Sequence, residues 1–428
     1  MFDSSQTYKV AVIGSGISGI ASAWFLSQKH QVTLFEKNEK LGGHTNTIDI
    51  ELEGKSTPVD TGFIVYNEPN YPLLKAMLAH LAVETYPTDM SFAVSVDQGR
   101  LEYAGNNLNT LFAQRKNLFS PRHWRMILDI LRFNKQGKAD LQNGLDPELS
   151  LGDYLKQHGF SEIMQRDYLL PMAAAIWSCP TETMLKFPAN SFLQFFENHG
   201  LLNVNDRPQW QTIKNGARNY IDRILALKAF AVYQHGITDV FPSSSKEGQV
   251  RLISADGETH HFDQVIFACH GDEAYQLLKP HGFELLKNFS YQHNQAWLHT
   301  DINQMPKNQS AWASWNYLSA QNVEAERAVA VTYWMNKLQP LAISQDVFVT
   351  LNPITPPADD KVSQKIDYDH PVFDRAAIQA QSELHQLQGH KNCWFAGAYT
   401  GYGFHEDGLA SAAHIAERWQ IALPWEAK

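Results

Sequence analysis

Cysteine is scarce in this 428-residue chain, which contains only Cys179, Cys269 and Cys393. No two of them form a CxxC pair, so the sequence does not support a disulfide framework, a zinc ribbon or an iron–sulfur cluster. The eighteen histidines include no HExxH pattern, and we therefore expect no metal site. A reducing cytoplasm is the expected compartment.

Net positive charge and long apolar runs are also missing. The formal net charge is -10, which argues against nucleic acid as a partner. No stretch approaches the roughly 20 apolar residues of a membrane span. The first residues lack the basic start and apolar run of a secretory signal. Any membrane contact should therefore be peripheral, on the inner face of the cell membrane.

The composition is that of a folded globular protein, with 44% hydrophobic and 19% charged residues. Its length predicts two or three compact units and room for a large ligand.

The first motif is an apolar run over residues 9–13 followed by glycines at GxGxxG spacing. In a strand–turn–helix unit the first glycine permits the tight turn, the second lets the backbone approach a diphosphate, and the third lets helix and strand pack closely. The amides at the helix N-terminus would bind the phosphates. The residues assigned to this phosphate site are Gly14, Ser15, Gly16, Ile17, Ser18 and Gly19.

A second apolar run, residues 32–35, ends at Glu36, about 20 residues after the central glycine. A carboxylate at this position is expected to accept hydrogen bonds from ribose hydroxyls. Lys37 is assigned to the same site. The order of strand, glycines, helix, strand and acid favours dinucleotide binding over glycines that only mark turns.

The segment KNEKLGGHTNT resembles the one after the ribose-binding acid in the flavin amine oxidase and phytoene desaturase superfamily. Gly42 and Gly43 match the paired glycines of that family, and His44 stands where arginine is usual. Asp60, Thr61, Gly62 and Phe63 are similar to the loop that passes near the flavin ring. The resemblance implies FAD as the cofactor.

The segment CWFAGAYTGYGFHEDGLASAAHIAERW resembles the closing strand, glycine and helix of the same family. Residues 393–396 are the expected strand, and the helix is expected from Gly408 onward, with its N-terminus toward the flavin. Ala398 stands where the family commonly has a carboxylate or hydroxyl residue that bonds the ribityl or phosphate. Cys393 lies in the strand and does not match the cysteine that binds flavin covalently in some amine oxidases, so we expect FAD to bind non-covalently. Cofactor contacts are assigned to Gly397, Glu406, Asp407, Gly408 and Leu409.

Residues 231–240 and 264–268 resemble the returning strands of the family. This places Val240 near the adenine and Ala268 near the pyrophosphate. The expected fold class is α/β, with a discontinuous Rossmann-like FAD-binding domain and an inserted α+β substrate domain. The FAD-binding domain is assigned to residues 1–63, 206–275 and 389–428, and the substrate domain to residues 64–205 and 276–388.

Aromatic residues concentrate around prolines in the first part of the substrate domain. Trp177, Phe195 and Phe196 are assigned to the wall of the substrate chamber. Ordinary core packing explains the same aromatics equally well.

Residues 113–138 carry seven basic residues and one acid, a local net charge of +6. Ser120 can cap a helix that begins at Pro121. Helical spacing puts three arginines and Asp129 on one narrow stripe beside a wide apolar arc. This pattern fits either a helix at an anionic membrane surface or a core helix with a solvated stripe.

Across nearly its whole length the chain resembles bacterial FAD-binding proteins usually encoded beside cyclopropane fatty acid synthase-like methyltransferases. The segments LFAQRKNLFSPRHWRMILDILRFNK, AAIWSCP and AWASWNYL carry this resemblance. It implies an oxidoreductase that desaturates a methylated fatty acyl chain of a phospholipid, with hydride transfer to flavin N5. Tyr402 and His405, in the loop before the closing helix, are the candidate catalytic residues, with His405 as proton acceptor.

Two other functions remain open. A flavin amine oxidase acting on a soluble amine would share every cofactor motif. A non-catalytic protein could instead bind FAD as the partner of a lipid-modifying complex. No second GxGxxG is followed by an acid at a strand end, so electrons are expected from the substrate and not from NAD(P)H.

Overall fold

The computed structural model describes residues 6–177, 184–203, 208–245, 248–321 and 327–426. Cys179 lies outside these residues. Among the described helices, none combines the length and the hydropathy needed to cross a membrane.

In the described residues, the strands β1 to β20 are Lys9–Ile13, Gln31–Phe35, Thr47–Leu52, Lys55–Asp60, Tyr66–Asn67, Thr85–Thr88, Phe92–Val96, Leu101–Ala104, Trp210–Ile213, Ala231–Tyr233, Ile237–Phe241, Val250–Ser254, Thr259–Phe262, Gln264–Phe267, Ser290–His299, Trp315–Gln321, Arg327–Trp334, Phe348–Leu351, Val362–Val372 and Cys393–Phe395. The α-helices α1 to α13 are Ile17–Ser27, Pro72–His80, Leu108–Leu111, Pro121–Asn143, Leu151–Gln157, Glu162–Met164, Leu170–Trp177, Ala189–Asn198, Arg218–Ala226, Gly271–Leu278, Met335–Leu338, Arg375–Glu383 and His405–Arg418.

A five-stranded parallel sheet in the order β10-β2-β1-β14-β20 lies within the residues predicted to form the FAD-binding domain. Alternate residues of β1 face opposite sides of this sheet. Val10 and Val12 pack with α1 and α13, whereas Ala11 and Ile13 pack toward the antiparallel sheet β11-β12-β13. Burial on both faces explains why β1 is apolar throughout its interior. The strands come from three separated parts of the chain, which confirms the predicted discontinuous α/β fold, and the exact domain boundaries stay predictions.

A second, seven-stranded sheet has the order β19-β15-β18-β17-β16-β7-β8. All its neighbours are antiparallel except β16 and β7, which are parallel. Val94, Tyr317 and Val331 of this sheet share a hydrophobic core with the helices between residues 121 and 198. This sheet and these helices lie within the residues predicted to form the substrate domain.

Helix α4 begins at Pro121, as predicted, and the Ser120 hydroxyl accepts a hydrogen bond from the His123 amide at 3.3 Å. The stripe of three arginines and Asp129, predicted to be solvated in a core helix, is only partly exposed. Asp129 is buried and lies 3.1 Å from both the Arg125 and the Arg132 guanidinium groups. Part of the apolar arc faces outward instead, because Leu128 is 60% exposed. The buried carboxylate is tolerated because two arginines and the Ser161 amide satisfy it.

Candidate functional site

A single cavity of about 1020 Å³ extends from the parallel sheet to the seven-stranded sheet. Its first end is built by the loops that follow β1, β2, β14 and β20. These loops meet because parallel strands present their carboxyl ends at one edge of a sheet, where α/β proteins bind ligands.

The glycine loop after β1 has the geometry that the sequence predicts. Gly14 has a φ of +101°, and its amide donates to the Phe35 carbonyl at 2.9 Å. A Cβ at Gly19 would lie 1.8 Å from the Gly14 carbonyl oxygen, so this glycine permits close packing of α1. A Cβ at Gly16 would have nothing within 4 Å. Gly16 lines the cavity at the start of α1 and leaves space there for a diphosphate.

Glu36 is buried at the carboxyl end of β2 and lines the same end of the cavity. One carboxylate oxygen accepts from the Ser15 amide at 2.9 Å and from the Ser15 hydroxyl at 2.6 Å. The other accepts from the Asn38 amide at 2.9 Å. Glu36 thus fixes the glycine loop, and the ribose contact stays a prediction. Lys37 also lines the cavity and pairs with Glu273.

His44 follows two glycines in the left-handed region, Gly42 at φ +115° and Gly43 at φ +56°. A Cβ on Gly43 would lie 3.2 Å from the Gly16 Cα, so the two glycine segments touch. The His44 ring stacks on Tyr368 at 4.8 Å, and its buried Nε2 has no hydrogen-bond partner.

Two further histidines surround His44 at this end of the cavity. The His370 and His270 rings lie 5.4 and 6.3 Å from it. Burial, followed by repulsion from the neighbouring histidines, holds the pKa of His44 well below its ordinary value. The imidazole is therefore neutral and offers a hydrogen bond that the protein does not use.

The loop Thr61–Phe63 lines the middle of the cavity. The Thr61 hydroxyl lies 2.9 Å from the Tyr368 hydroxyl, and a Cβ on Gly62 would lie 2.2 Å from the His44 carbonyl oxygen. The Phe63 ring stacks on His405 at 3.8 Å.

His405 also lines the cavity, and its Nε2 lies 2.7 Å from the Tyr220 hydroxyl. Burial lowers the pKa of His405 to about 3, so the ring is a neutral and weakly basic group. Tyr402 lines the cavity with its ring 6.1 Å from that of Phe195. Their catalytic roles stay predictions.

The closing helix differs from the sequence prediction, because it begins at His405, three residues before Gly408. The Asp407 carboxylate accepts from the Phe404 amide at 2.8 Å and caps this earlier start. Glu406 accepts from the Leu73 and Leu74 amides at 2.7 and 3.0 Å. Both carboxylates therefore hold backbone amides and do not line the cavity.

Three other assigned residues lie behind the cavity wall. A Cβ on Gly408 would lie 2.7 Å from the Ile17 side chain, so this glycine permits α13 to pack on α1. Leu409 is fully buried in the same core. Val240 is buried in the core against the three-stranded sheet. Ile237, the first residue of β11, lines the cavity instead. Ala268 and Gly397 line the cavity as predicted.

The far end of the cavity is apolar. Trp177 and Phe195 line it from the helices, whereas Phe196 is buried in the core, stacked on Phe192 at 4.2 Å. The two assigned residues that reach the cavity share this wall with residues that the sequence reasoning missed. These are Met90, Phe92, Met172, Ile176, His199, Leu201, Trp210, Trp315, Tyr333 and Leu351.

The missed residues have different sequence signals. His270 lies two residues after Ala268, just beyond the end of β14, so the strand-end rule could have identified it. His370, Tyr368 and Trp315 lie in strands of the seven-stranded sheet, and only the tertiary fold brings them to the cavity.

The residues present fit a dinucleotide cofactor that carries a flavin. The open space at Gly16 and the unpartnered Nε2 of His44 lie together at one end, and an apolar chamber lies at the other. In the part of the chain that the structure describes, no cluster of three His, Cys, Asp or Glu residues could hold a metal ion.

Comparison with known proteins agrees with this geometry. The chain is similar to a 4,4'-diapophytoene desaturase of Staphylococcus aureus (strain Newman), with 51% identity over 41 residues. That match spans 9% of this chain and 8% of the desaturase.

Two solved structures share the fold across nearly the whole chain. One is a CLA-producing fatty acid isomerase from P. acnes, with a TM-score of 0.68, 13% identity and coverage of 98% and 99% of the two chains. The other is the cyclohexylamine oxidase of Brevibacterium oxydans IH-35A, with a TM-score of 0.65, 15% identity and coverage of 97% and 100%.

The family model described as flavin containing amine oxidoreductase matches residues 17–418, which include α1, the cavity and the closing helix. The chain therefore belongs to the flavin-containing amine oxidoreductase family and is a flavin-dependent oxidoreductase.

Proposed function

We propose that this oxidoreductase binds FAD non-covalently and desaturates a fatty acyl chain, specifically a methylated acyl chain of a phospholipid. The observation that carries the proposal is the continuity of one cavity from the glycine loop to a chamber lined by Met172, Ile176 and Trp177. Such a chamber binds an alkyl chain by removing it from water.

The electrostatics of the chamber support an acyl substrate over an ammonium ion. The carboxylates that line the cavity are Glu36, Glu273, Asp367 and Asp369. Glu36 and Glu273 belong to the nucleotide end, and the side chains of Asp367 and Asp369 are 68% and 49% exposed and paired with His293. A desolvated ammonium group at the apolar end of the cavity would therefore find no buried carboxylate partner among these residues.

Two indole groups in the chamber wall point to a substrate with a hydrogen-bond acceptor. The Nε1 atoms of Trp177 and Trp315 are buried and have no partner. An indole N–H only donates, so it matches a carbonyl or carboxylate oxygen and not an ammonium group. An acyl carbonyl has the chemistry that these two donors need.

Desaturation removes one hydrogen from each of two adjacent carbons and leaves a carbon–carbon double bond. One C–H bond gives up a hydride, which carries two electrons, and the other loses a proton to a base or to water. Bound FAD would supply the two-electron acceptor. The protein's own residues position the chain and exclude water, which for this chemistry matters more than a strong base. His405 has a low proton affinity and would hold the loop through Tyr220.

The names of two similar proteins agree with an apolar substrate, since one is a desaturase and the other a fatty acid isomerase. The chain's resemblance to proteins encoded beside cyclopropane fatty acid synthase-like methyltransferases supports a methylated acyl chain. The similarity to cyclohexylamine oxidase supports a competing proposal, in which the substrate is an amine. The third proposal is a non-catalytic protein that binds FAD as the partner of a lipid-modifying complex.

The product of a reaction tests the substrate. Purified protein is incubated with phospholipid vesicles that carry a methylated monounsaturated acyl chain, and the lipid is analysed by mass spectrometry. We expect an acyl chain that has lost two hydrogens and gained a conjugated double bond. A variant with a filled chamber, Ile176→Trp, should lose this product, whereas Ile302→Trp at an exposed position should retain it. Unchanged lipid together with turnover of amines would contradict the proposal.

A further inference from the structure

Exposed apolar side chains are concentrated in one region of the surface. Among the described residues, eleven large hydrophobic side chains are exposed, and six of them lie between residues 108 and 131. Phe119 is 89% exposed and Leu128 is 60% exposed. The six are Leu108, Leu118, Phe119, Trp124, Leu128 and Leu131.

Five of these residues form one continuous face. The Trp124 Nε1 donates to the Leu118 carbonyl at 2.9 Å, which holds the indole against the turn that contains Phe119. Leu128 and Leu131 follow Trp124 by four and seven residues, so they lie on the same side of α4. We define Leu118, Phe119, Trp124, Leu128 and Leu131 as the docking face.

The charge around the docking face has one sign. The exposed basic residues Arg115 and Lys116 lie in the turn before α4, and exposed Lys135 follows Leu131 by four residues on the same side of the helix. Residues 113–138 contain one acid, Asp129, which is buried and paired with Arg125 and Arg132. Residues 113–138 have a net charge of +6, whereas the whole chain has a net charge of -10. This part of the surface therefore attracts anionic surfaces although the protein as a whole does not.

The opposite side of α4 leads to the substrate chamber. Met126 and Phe133 are fully buried on this side. A Cβ on Gly137 would lie 2.8 Å from Leu193 of α8, and Phe195 of the same helix lines the cavity. The docking face is therefore one helix away from the apolar end of the cavity.

We propose that the docking face binds the surface of a lipid bilayer that contains anionic headgroups. Apolar side chains with an indole among basic residues suit the interface between headgroups and acyl chains. A symmetric contact between two copies would bring the two sets of basic residues together, which like-charge repulsion opposes. The proposal does not depend on the identity of the substrate.

Vesicle flotation of the full chain tests the proposal without any turnover, so it can fail or succeed independently of the proposed function. The probes are vesicles of phosphatidylcholine alone and vesicles in which one third of the lipid is phosphatidylglycerol. We expect binding to the anionic vesicles that weakens as salt is raised. Phe119→Ser combined with Leu128→Ser should lower the partition coefficient at least about tenfold.

The matched control combines Ile302→Ser with Ile354→Ser, since these side chains are 45% and 37% exposed outside the docking face. This control should bind as the native protein does. Lys116→Glu combined with Lys135→Glu should remove the preference for anionic vesicles.

Three results would overturn the proposal. The native protein could bind both kinds of vesicle equally or not at all, or the control could lose as much binding as the docking-face variant. In the third, light scattering would show that the docking-face variant splits a dimer while vesicle binding is unchanged.

Discussion

Gly16 differs from the other glycines of its loop in what surrounds it. A Cβ would strike backbone atoms at Gly14 and Gly19, but at Gly16 it would enter open space that lines the cavity. We expect Gly16→Ala to weaken FAD binding at least about tenfold, which corresponds to ~1.4 kcal/mol. The unfolding free energy of the cofactor-free protein should change by less than about 0.5 kcal/mol.

Equilibrium titration with FAD and chemical denaturation measure these two quantities. Gly105→Ala is the matched control, because a Cβ at that position also meets nothing within 4 Å. Equal FAD affinity of both variants would place the cofactor away from this loop.

His44 has a buried Nε2 without a partner, at the end of the cavity where the glycine loop lies. A hydrogen bond from this atom to an ionised phosphate is worth about 1.5–3 kcal/mol. We therefore expect His44→Ala to weaken FAD binding by roughly 10- to 100-fold, whereas His261→Ala at an exposed strand position should not. Native affinity in the His44 variant would show that the imidazole does not contact the cofactor.

Trp177 tests the acceptor on the substrate. Trp177→Phe removes the N–H while it retains an aromatic ring in the wall. Loss of one neutral hydrogen bond of about 0.5–1.5 kcal/mol predicts a KM for the acyl lipid that is about 2- to 10-fold higher, with kcat nearly unchanged. Trp425→Phe, outside the cavity, is the control. An unchanged KM would mean that the substrate has no acceptor at this position.

At the scale of elements, Glu406 joins the closing helix to the start of α2. Its carboxylate caps the Leu73 and Leu74 amides, and burial raises its pKa to about 7 from an ordinary value of 4.5. The folded protein then binds a proton more tightly than the unfolded chain, so the unfolding free energy falls as pH rises from about 4.5 to 7.

Glu406→Gln removes this titration. Between pH about 4.5 and 7 the unfolding free energy of the variant should therefore fall less than that of the native protein, by on the order of 3 kcal/mol. Denaturation at a series of pH values measures it, with exposed Glu51→Gln as the control. Parallel curves for the native protein and the Glu406 variant would show that this carboxyl titrates normally.

The sequence predicts an element well where its signal is local. An apolar run and fixed glycines locate β1 and the start of α1, and β2 begins one residue before the predicted run. The start of α13 was predicted three residues late, because the cap is the Asp407 side chain and not a residue before the helix. Val240 was placed near the adenine by resemblance to the returning strands of the family, and the structure shows Val240 buried while Ile237 lines the cavity.

At the scale of the whole molecule, the apolar end of the cavity could not be predicted in detail. Its wall combines Phe92, Ile176 and Trp315, which lie on elements far apart in the chain. Aromatic content alone does not separate a chamber wall from a core, and Phe195 and Phe196 show this, since only the first of these neighbours reaches the cavity. Which of two neighbouring residues reaches the cavity depends on how the seven-stranded sheet packs against the helices.

We propose that one cavity brings an acyl chain to a flavin that takes its electrons. The most direct test is the anaerobic visible spectrum of the purified protein before and after addition of phospholipid with a methylated monounsaturated acyl chain. We expect the long-wavelength absorption of bound FAD to bleach with this lipid and not with a panel of amines. A yellow protein that amines bleach and the lipid leaves oxidised, or a protein that takes up no FAD, would contradict it.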